Sequence, residues 1–396
     1  MTPPSSPRRD PPFRTGEIVA DEHFTNRARE VAVAKRAMLR SGRLLLTGER
    51  RLGKSSILRQ ATLHATARGA TVVALDLWTV SSLEEVVRRI VAAVPWTWSR
   101  RERLQRLWLD LGLTLGVTAD PTGAPMFTLT STPGELRGGR ARELFLQLLA
   151  RLDAVAGESG DPVALVLDEF QRIEEVDRGA GALLRSAVQE SHHLAFVCAG
   201  STLSLVRELI GPEGPLHGIF DELTVGPIEP ALLAAWIEDR LRSHGVEPEE
   251  GTGARVVAWA GGKTEDVLRL AREVWDGGIA RGAASPADIP AAVGRIVSDH
   301  RSTYERTWVD LAPSQRGVLR ALADGAVQLT ARGTIRSYAL PTPAGVLKAI
   351  GRLQAQHLVN AAGDAISDPF LAEWVLRHAM PDGRSRSELD RGDPQA

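Results

Sequence analysis

The sequence predicts an α/β protein in which helices cover both faces of a parallel β-sheet. Short, wholly apolar runs alternate with helical spacing between residues 26 and 225, a pattern typical of a buried parallel sheet. A glycine-rich motif begins at Gly48, between an apolar run and a helix, and has the spacing of a phosphate-binding loop. After Pro230 the pattern becomes almost wholly helical, which predicts further domains on the C-terminal side.

The composition limits the classes of partner. The 396 residues suffice for two or three domains, and the 48 Lys and Arg residues nearly balance the 49 Asp and Glu residues. The net charge of −1 excludes bulk attraction to nucleic acid or to an anionic membrane, so such a partner would need a local patch. No stretch approaches the roughly 20 apolar residues that cross a bilayer. One cysteine, Cys198, excludes an intrachain disulfide, and we expect a cytoplasmic protein with no membrane partner.

Five runs rich in aliphatic and β-branched residues predict the strands of the sheet, at residues 43–47, 70–77, 163–167, 194–199 and 222–225. Helical spacing predicts helices over residues 26–40, 55–67, 81–94, 139–156, 179–190 and 201–209. Residues 111–131 break the alternation with two threonine-rich runs around a turn at Asp120–Gly123, which predicts an inserted β-hairpin. Such a hairpin is either a contact element or a structural flap.

The segment from Gly48 to Ser55 fits G-x-x-x-x-G-K-[ST] and has the strand and the helix that this motif demands. Its glycines allow backbone N–H groups to close around phosphate oxygens, and the helix that follows points its positive end at the anion. Lys54 is expected to reach the β- and γ-phosphates of ATP, and the Ser55 hydroxyl to coordinate Mg²⁺. The nucleotide-binding residues predicted here are Gly48, Glu49, Arg50, Arg51, Leu52, Gly53, Lys54, Ser55 and Ser56.

Two further strand ends carry polar residues suited to the same chemistry. Asp168 follows an apolar strand and is expected to hold Mg²⁺, while the next residue, Glu169, could activate the attacking water as a general base. Adjacent carboxylates also occur in proteins that bind nucleotide and hydrolyse it poorly, so turnover stays open. Ser201, after the next strand, could contact the γ-phosphate or the water, cap the following helix, or do both.

These blocks resemble the archaeal-type ATPases of the AAA+/STAND-related P-loop group, in the additional-strand, catalytic-glutamate class. The resemblance rests on FTNRARE, LLLTGERRLGKSS, VALVLDEFQRI and FVCAGSTLSLV and covers about residues 16 to 380. It implies a strand inserted between the phosphate-loop strand and the strand that ends at Asp168. It also implies that Phe24, Asn26 and Arg27 approach the adenine, and that Ser201 is sensor 1.

The same resemblance implies a domain order. The predicted parts are a disordered N-terminus (1–14), a P-loop ATPase core (15–226) with the hairpin near 111–131, a helical lid (227–301), a winged-helix-like domain (302–380) and a disordered tail (381–396). Lys263 and Arg269 are the candidates for sensor 2. Arg207 or Arg172 is either an arginine finger or a surface arginine.

The C-terminal region shows the order helix, turn, helix and wing. A helix start is signalled by Thr342 and Pro343, and Lys348 and Arg352 lie four residues apart on one face of the predicted helix. Together with Arg336 they could meet DNA phosphates or base edges. Winged helices also serve as protein-docking or packing modules, and that alternative stays open.

The sequence thus predicts an ATP-binding protein and a Mg²⁺-dependent ATPase. ATP binding and hydrolysis would drive a conformational change that acts on DNA, on a partner protein or through self-association. One alternative is a nucleotide-gated switch or scaffold with negligible turnover. Another is a DNA-binding regulator resembling replication-initiator or transposition ATPases.

Overall fold

The computed structural model describes residues 11–94, 114–119, 125–130, 139–201 and 204–380. The predicted tail at 381–396, residues 1–10 of the predicted disordered N-terminus and the predicted turn of the hairpin lie outside these residues. The chain divides into two compact units. The core unit runs from Ile18 to Gly226, and the second unit joins the residues before Ile18 to those from Pro227 onward.

The described strands of the core unit are, in chain order, β1 (Arg43–Gly48), β2 (Thr71–Asp76), β3 (Thr114–Ala119), β4 (Pro125–Thr130), β5 (Val163–Asp168), β6 (Leu194–Ser201) and β7 (Asp221–Thr224). Five of them form one parallel sheet in the order β2-β5-β6-β1-β7. Strand β6 therefore lies between the phosphate-loop strand β1 and β5. This order confirms the additional-strand sheet that the resemblance implies.

The strands of this sheet are apolar at successive positions, so the sheet buries side chains against helices on both of its faces. Leu165 and Phe196 point into a hydrophobic core with the helices Leu83–Ala93, Gly139–Ser159 and Ala180–Glu190. Their neighbours Val166 and Val197 point into a second core, on the opposite face. The helices Ala28–Leu39 and Lys54–Thr66 cover that face. The described part of the core unit also contains the short helices Asp21–His23, Leu77–Thr79, Phe170–Arg172, Ile173–Val176 and Ser204–Ile210.

Strands β3 and β4 form a separate antiparallel pair in the segment where the sequence predicts a hairpin. Thr114 lies opposite Thr130, and Ala119 lies opposite Pro125. The two strands do not join the parallel sheet.

The second unit is mainly helical. Its helices are Pro230–Ser243, Thr252–Ala260, Thr264–Gly278, Pro286–Asp288, Ile289–Asp299, Arg301–Asp310, Pro313–Ala323, Arg332–Ser337, Pro343–Ala355 and Pro369–His378, and its short parallel strands are Glu247–Pro248 and Ala283–Ala284. The predicted lid and the predicted winged-helix domain fall together in this unit. These two parts share a hydrophobic core, in which Phe370 and Trp374 of the last helix pack with lid residues such as Trp259 and Val293.

The N-terminal segment departs from the sequence prediction. Residues 1–14 are predicted to be disordered, but Phe13 is buried in the core of the second unit. Its ring meets that of Trp236 edge-on, with 5.7 Å between the centroids. The Pro12 carbonyl accepts a hydrogen bond of 3.0 Å from Arg240 Nη2. The prediction is therefore wrong for this short stretch, because a single aromatic side chain in a proline-rich segment leaves no periodic signal.

The C-terminal part of the second unit has the helix, turn, helix and wing order. Its helices Pro313–Ala323, Arg332–Ser337 and Pro343–Ala355 enclose a core with Leu319, Val346 and Leu353. The wing contains one antiparallel bridge, between Val359 and Ile366. No helix in the part of the chain that the structure describes is long and apolar enough to cross a bilayer.

Candidate nucleotide site

The carboxyl ends of the parallel strands bring the predicted site residues to one edge of the sheet. In the register of β1 and β6, Gly48 lies opposite Ser201. In the register of β2 and β5, Asp76 lies opposite Asp168. Because the strands run parallel, the phosphate loop, the acidic strand end and Ser201 lie side by side, where α/β sheets bind ligands.

The backbone of the phosphate loop needs its glycines. Gly48 has a φ of 155°, and a Cβ added there would lie 2.4 Å from the Val225 carbonyl oxygen. Gly53 has a φ of 85° and precedes the helix Lys54–Thr66 in the left-handed region. Arg51, which has a side chain, also has a positive φ of 69°. The loop therefore turns sharply into a helix N-terminus, a geometry that binds anions through backbone N–H groups.

Lys54 is a buried lysine at the start of this helix. Its Nζ donates hydrogen bonds to the carbonyl oxygens of Gly48, at 2.9 Å, and Glu49, at 2.7 Å. Burial lowers the pKa of Lys54, and the nearby carboxylates of Glu169 and Asp168 act in the opposite direction. The ammonium group thus lies between the loop backbone and the acidic strand end, within the same small site.

Asp168 and Ser55 form the oxygen-rich side of the site. The Ser55 hydroxyl hydrogen-bonds the Asp168 carboxylate, and the backbone N–H of Glu169 donates to Asp168 Oδ1 at 2.9 Å. Burial raises the pKa of Asp168, and these two hydrogen bonds act against that rise. A carboxylate and a hydroxyl are hard oxygen donors of the kind that Mg²⁺ prefers. These residues therefore fit the expected cation.

A metal at this place would need ligands from outside the protein. The described residues contain no group of three or more His, Cys, Asp and Glu side chains that could hold a metal ion. Mg²⁺ commonly uses one or two protein ligands together with phosphate oxygens and water. The Ser55 and Asp168 pair is consistent with that mode.

Glu169, Gln171 and Ser201 form a short chain of side-chain contacts next to Asp168. Gln171 Nε2 donates a hydrogen bond to Glu169 Oε2 and a second one, of 3.4 Å, to Ser201 Oγ. Both Gln171 and Ser201 are buried. Glu169 has a left-handed backbone with a φ of 50°, a conformation that residues with side chains rarely adopt. The amide of Gln171 thus connects the candidate general base to the candidate sensor.

The N-terminal segment of the core unit runs along the phosphate-loop helix. Val19 N–H donates to Ser56 Oγ at 3.2 Å, and Asp21 N–H donates to Gln60 Oε1 at 3.0 Å. The hydroxyl of Ser56, predicted to contact nucleotide, is therefore used to hold this segment. Phe24 is half-buried against the core, and Asn26 is exposed.

Arg27, which the resemblance expects to approach the adenine, bonds backbone carbonyl groups of the core unit. Its guanidinium donates to the carbonyl oxygens of Leu52, at 3.2 Å, and Gly226, at 2.6 Å. It also pairs with Glu30 at 3.2 Å. The side chain is thus bonded to the backbone of the phosphate loop.

Trp78 follows β2 at the same edge of the sheet and has no role in the sequence prediction. The guanidinium carbons of Arg50 and Arg172 lie over its indole, at 4.8 Å and 5.1 Å from the ring centroid. Arg172 also forms an ion pair of 2.8 Å with Glu175. The candidate arginine finger Arg172 is thus engaged within its own chain, and the side chain of Arg207 lies outside the described part. The signal for Trp78 was its position at the end of a parallel strand.

The candidates for sensor 2 have partners within the second unit. Lys263 Nζ donates to the Ser367 carbonyl oxygen at 2.9 Å. The guanidinium of Arg269 stacks on the ring of Phe370 at 5.5 Å. These contacts join the lid to Ser367, just before the C-terminal helix, and to Phe370 within it.

The predicted DNA-contacting residues Lys348, Arg352 and Arg336 are exposed. Leu347, on the same helix as Lys348, is 63% exposed. In the wing the Asn360 side chain accepts hydrogen bonds from the backbone N–H groups of residues 363–365, which fixes a tight turn. The structure therefore presents three exposed cationic side chains in the winged-helix region.

Comparisons with known proteins agree with this architecture. Residues 302–377 match the family model described as "Probable winged helix domain". A Walker-type ATPase of Pyrococcus abyssi has a similar structure over 89% of this chain and 95% of its own, with a TM-score of 0.57 and 20% sequence identity. The ORC1 protein of Aeropyrum pernix, solved in complex with DNA, is similar over 90% and 93%, with a TM-score of 0.50 and 15% identity. No curated protein matches the sequence.

The chain has the fold of a P-loop ATPase with a C-terminal winged helix. The additional strand β6 in the sheet and the winged-helix match bear out the resemblance at the level of fold. At 20% identity and below, the similar structures establish the fold and leave the activity to be argued from the site.

Proposed function

We propose that this protein binds ATP with Mg²⁺ and hydrolyses it, and that the cycle drives a conformational change acting on DNA or on a partner protein. The observation that carries the proposal is the convergence of Lys54, Ser55, Asp168 and Glu169 beside one glycine-rich loop. Chance turns that contain glycine and lysine do not also bring a buried lysine and two carboxylates together.

Each residue has a role that follows from its contacts. Lys54 would exchange its carbonyl partners for β- and γ-phosphate oxygens, and Ser55 and Asp168 would hold Mg²⁺. When bound, Mg²⁺ would neutralise charge on the phosphate oxygens. Glu169 would accept a proton from the attacking water as its oxygen bonds to the γ-phosphorus and the bond to ADP breaks. Ser201 would donate its hydroxyl to the γ-phosphate.

The rest of the nucleotide would lie along the loop and the N-terminal segment. The loop residues Gly48 to Gly53 supply N–H groups for the phosphates. The adenine would lie near Phe24 and Asn26, since their segment is bonded to the phosphate-loop helix through Val19 and Asp21. Arg27 contributes indirectly, through its bond to the Leu52 carbonyl.

Phosphate release separates the enzyme from a non-hydrolysing protein. A general base contributes roughly 10²- to 10⁴-fold to a rate, so Glu169→Gln should reduce the steady-state rate by that factor and keep ATP binding. The control is Glu190→Gln, which makes the same chemical change at an exposed helix end in the core unit. A wild-type rate no higher than that of Glu169→Gln would overturn the ATPase proposal.

A nucleotide-gated switch with negligible turnover is the second candidate. It is favoured by the hydrogen bond from Gln171 to Glu169, which occupies one carboxylate oxygen that would otherwise face a water. In that case Mg²⁺ and ATP would bind with ordinary affinity. Calorimetry would detect this binding while phosphate release stays at the level of Glu169→Gln.

DNA is the macromolecular partner that the winged helix supports best. Exposed Lys348, Arg352 and Arg336 would contact phosphates, and each lost contact lowers the slope of log affinity against log salt by about 1. We expect Lys348→Ala plus Arg352→Ala to reduce this slope by about 2. The control is Arg29→Ala plus Arg36→Ala, which removes two exposed charges from a core helix. If the Lys348→Ala plus Arg352→Ala variant binds DNA as the wild type does, a protein partner or self-association is favoured instead.

A further inference from the structure

Arg27 connects the phosphate loop to the end of the core unit. It is 9% exposed, and its guanidinium bonds the carbonyl oxygen of Leu52, inside the loop, and that of Gly226, the last residue of the core unit. These two carbonyls belong to positions far apart in the sequence. One side chain therefore joins the loop that would hold phosphate to the point where the chain leaves the core.

A second contact joins the same two segments at the other end of the loop. The Val225 carbonyl oxygen lies so close to Gly48 that a Cβ there would be 2.4 Å away. The Val225 N–H donates to the Thr47 carbonyl oxygen at 2.7 Å. One end of the phosphate loop thus contacts Val225 directly, and the other end is joined to Gly226 through Arg27.

The backbone around Arg27 is held in a conformation that needs support. Asn26 and Arg27 have φ values of 54° and 61°, in the left-handed region that L-residues avoid. Such positions persist where surrounding contacts fix them, and they cluster in switching and binding regions. The buried charge of Arg27 has an acidic partner in Glu30 at 3.2 Å. The guanidinium is therefore held by three acceptors on three segments of the core unit.

We propose that Arg27 is a positioning residue that transmits movement of the phosphate loop to the chain at Gly226. The inference rests on the proposed nucleotide site. Phosphate binding reorients the loop peptides, and the Leu52 carbonyl moves with its peptide group. Because Nη2 of Arg27 bonds both carbonyl oxygens and Nη1 is held by Glu30, the Gly226 peptide follows. A methionine at this position has no N–H donor and can bond neither carbonyl.

Hydrogen exchange on the full-length protein tests this inference. The probe is the β,γ-imido analogue of ATP with MgCl₂, and two segments are followed, residues 46–58 of the loop and residues 223–233 around Gly226. In the wild type we expect the analogue to slow exchange in both segments. In Arg27→Met we expect slowing to persist in the loop and to be lost around Gly226. The matched control, Arg29→Met, removes an exposed arginine from the same helix and should behave as the wild type.

The outcomes separate the two proposals. Wild-type protein without slowing at the loop would refute the nucleotide site itself. Slowing around Gly226 that persists in Arg27→Met, or that is missing in the wild type while the loop responds, would overturn the role of Arg27 alone. If Arg27→Met fails to fold, Arg27→Gln decides in the same way, since its terminal nitrogen takes the place of Nε, two bonds short of the Nη2 that bonds both carbonyls.

Discussion

Gln171 offers a sharp test of how the candidate base is held. Its amide nitrogen donates to the Glu169 carboxylate and faces Ser201 Oγ at 3.4 Å. Within the described part of the chain, its own carbonyl oxygen Oε1 is buried without a hydrogen-bond partner. Replacing Gln171 by Met keeps the length of the side chain and removes both the donor and the unpartnered oxygen.

The two effects on stability nearly cancel. Losing a hydrogen bond to a charged group costs roughly 1.5–3 kcal/mol, and removing a buried unpartnered oxygen returns roughly 1–3 kcal/mol. The free energy of unfolding of Gln171→Met should therefore stay within about 1–2 kcal/mol of the wild-type value. The effect of Gln171→Met on kcat is not offset by removal of the unpartnered oxygen. If the bond orients Glu169 for the water, its loss lowers kcat by roughly 10- to 150-fold, with KM unchanged.

Steady-state phosphate release with chemical denaturation in parallel measures both quantities. Gln147→Met is the matched control, because Gln147 also donates its amide to a glutamate, Glu143, at 3.0 Å in an exposed position. Gly200→Ala is an independent perturbation, since the new methyl group would lie 2.7 Å from Gln171 Oε1 and push the amide aside. A kcat that is unchanged or higher in Gln171→Met would refute the orienting role, and a higher value would favour the switch.

Three further predictions follow from burial and stacking. Burial raises the pKa of Asp168, so its charged form opposes folding, and the free energy of unfolding should rise as the pH falls through that pKa. Asp168→Asn should therefore raise the thermal midpoint of the nucleotide-free protein and abolish ATP hydrolysis. A lower midpoint would contradict this reasoning. Phe13→Ala should lower the free energy of unfolding of the second unit by roughly 3–5 kcal/mol in denaturant titrations, whereas a loss below about 1 kcal/mol would mean that the segment is not packed in solution. Because Trp78, which is 48% exposed, stacks with Arg50 of the phosphate loop, Trp78→Phe should remove most of the change in tryptophan emission on adding Mg²⁺ and ATP, and an undiminished change would place the reporter elsewhere.

The parts of the site that sequence reasoning could predict are those in which the chemistry lies in consecutive residues. The loop from Gly48 to Ser55 directly follows its strand and contains both glycines and Lys54 in one short stretch. Asp168 and Glu169 end an apolar strand. In both cases local spacing sets the backbone, and the parallel sheet then brings the strand ends together. The order of the strands needed the family resemblance, because no local pattern tells which strands are neighbours.

The contacts that the sequence could not predict join segments far apart in the chain. The bond from Arg27 to Gly226 spans 199 positions, and nothing near Arg27 in the sequence indicates an acceptor there. Ser56 directly follows the motif, yet its hydroxyl accepts a hydrogen bond from the Val19 N–H, because the N-terminal segment runs along the helix. Phe13 is buried for a similar reason, since a single aromatic residue can fill a distant core without any periodic pattern.

The balance of charge around the loop bears on how the anion is held. Lys54 interacts electrostatically with Glu169, Asp168 and Glu49, and with one cation, Arg50. Around Lys54, three carboxylates therefore face Lys54 and Arg50, so these side chains alone do not attract a triphosphate. Favourable binding must come from the loop N–H groups and from a cation that enters with the nucleotide. Neither the whole chain, with a net charge of −1, nor the surroundings of Lys54 has an excess of basic side chains. The affinity of the proposed site for phosphate would therefore depend on the geometry of the loop and on the metal ion.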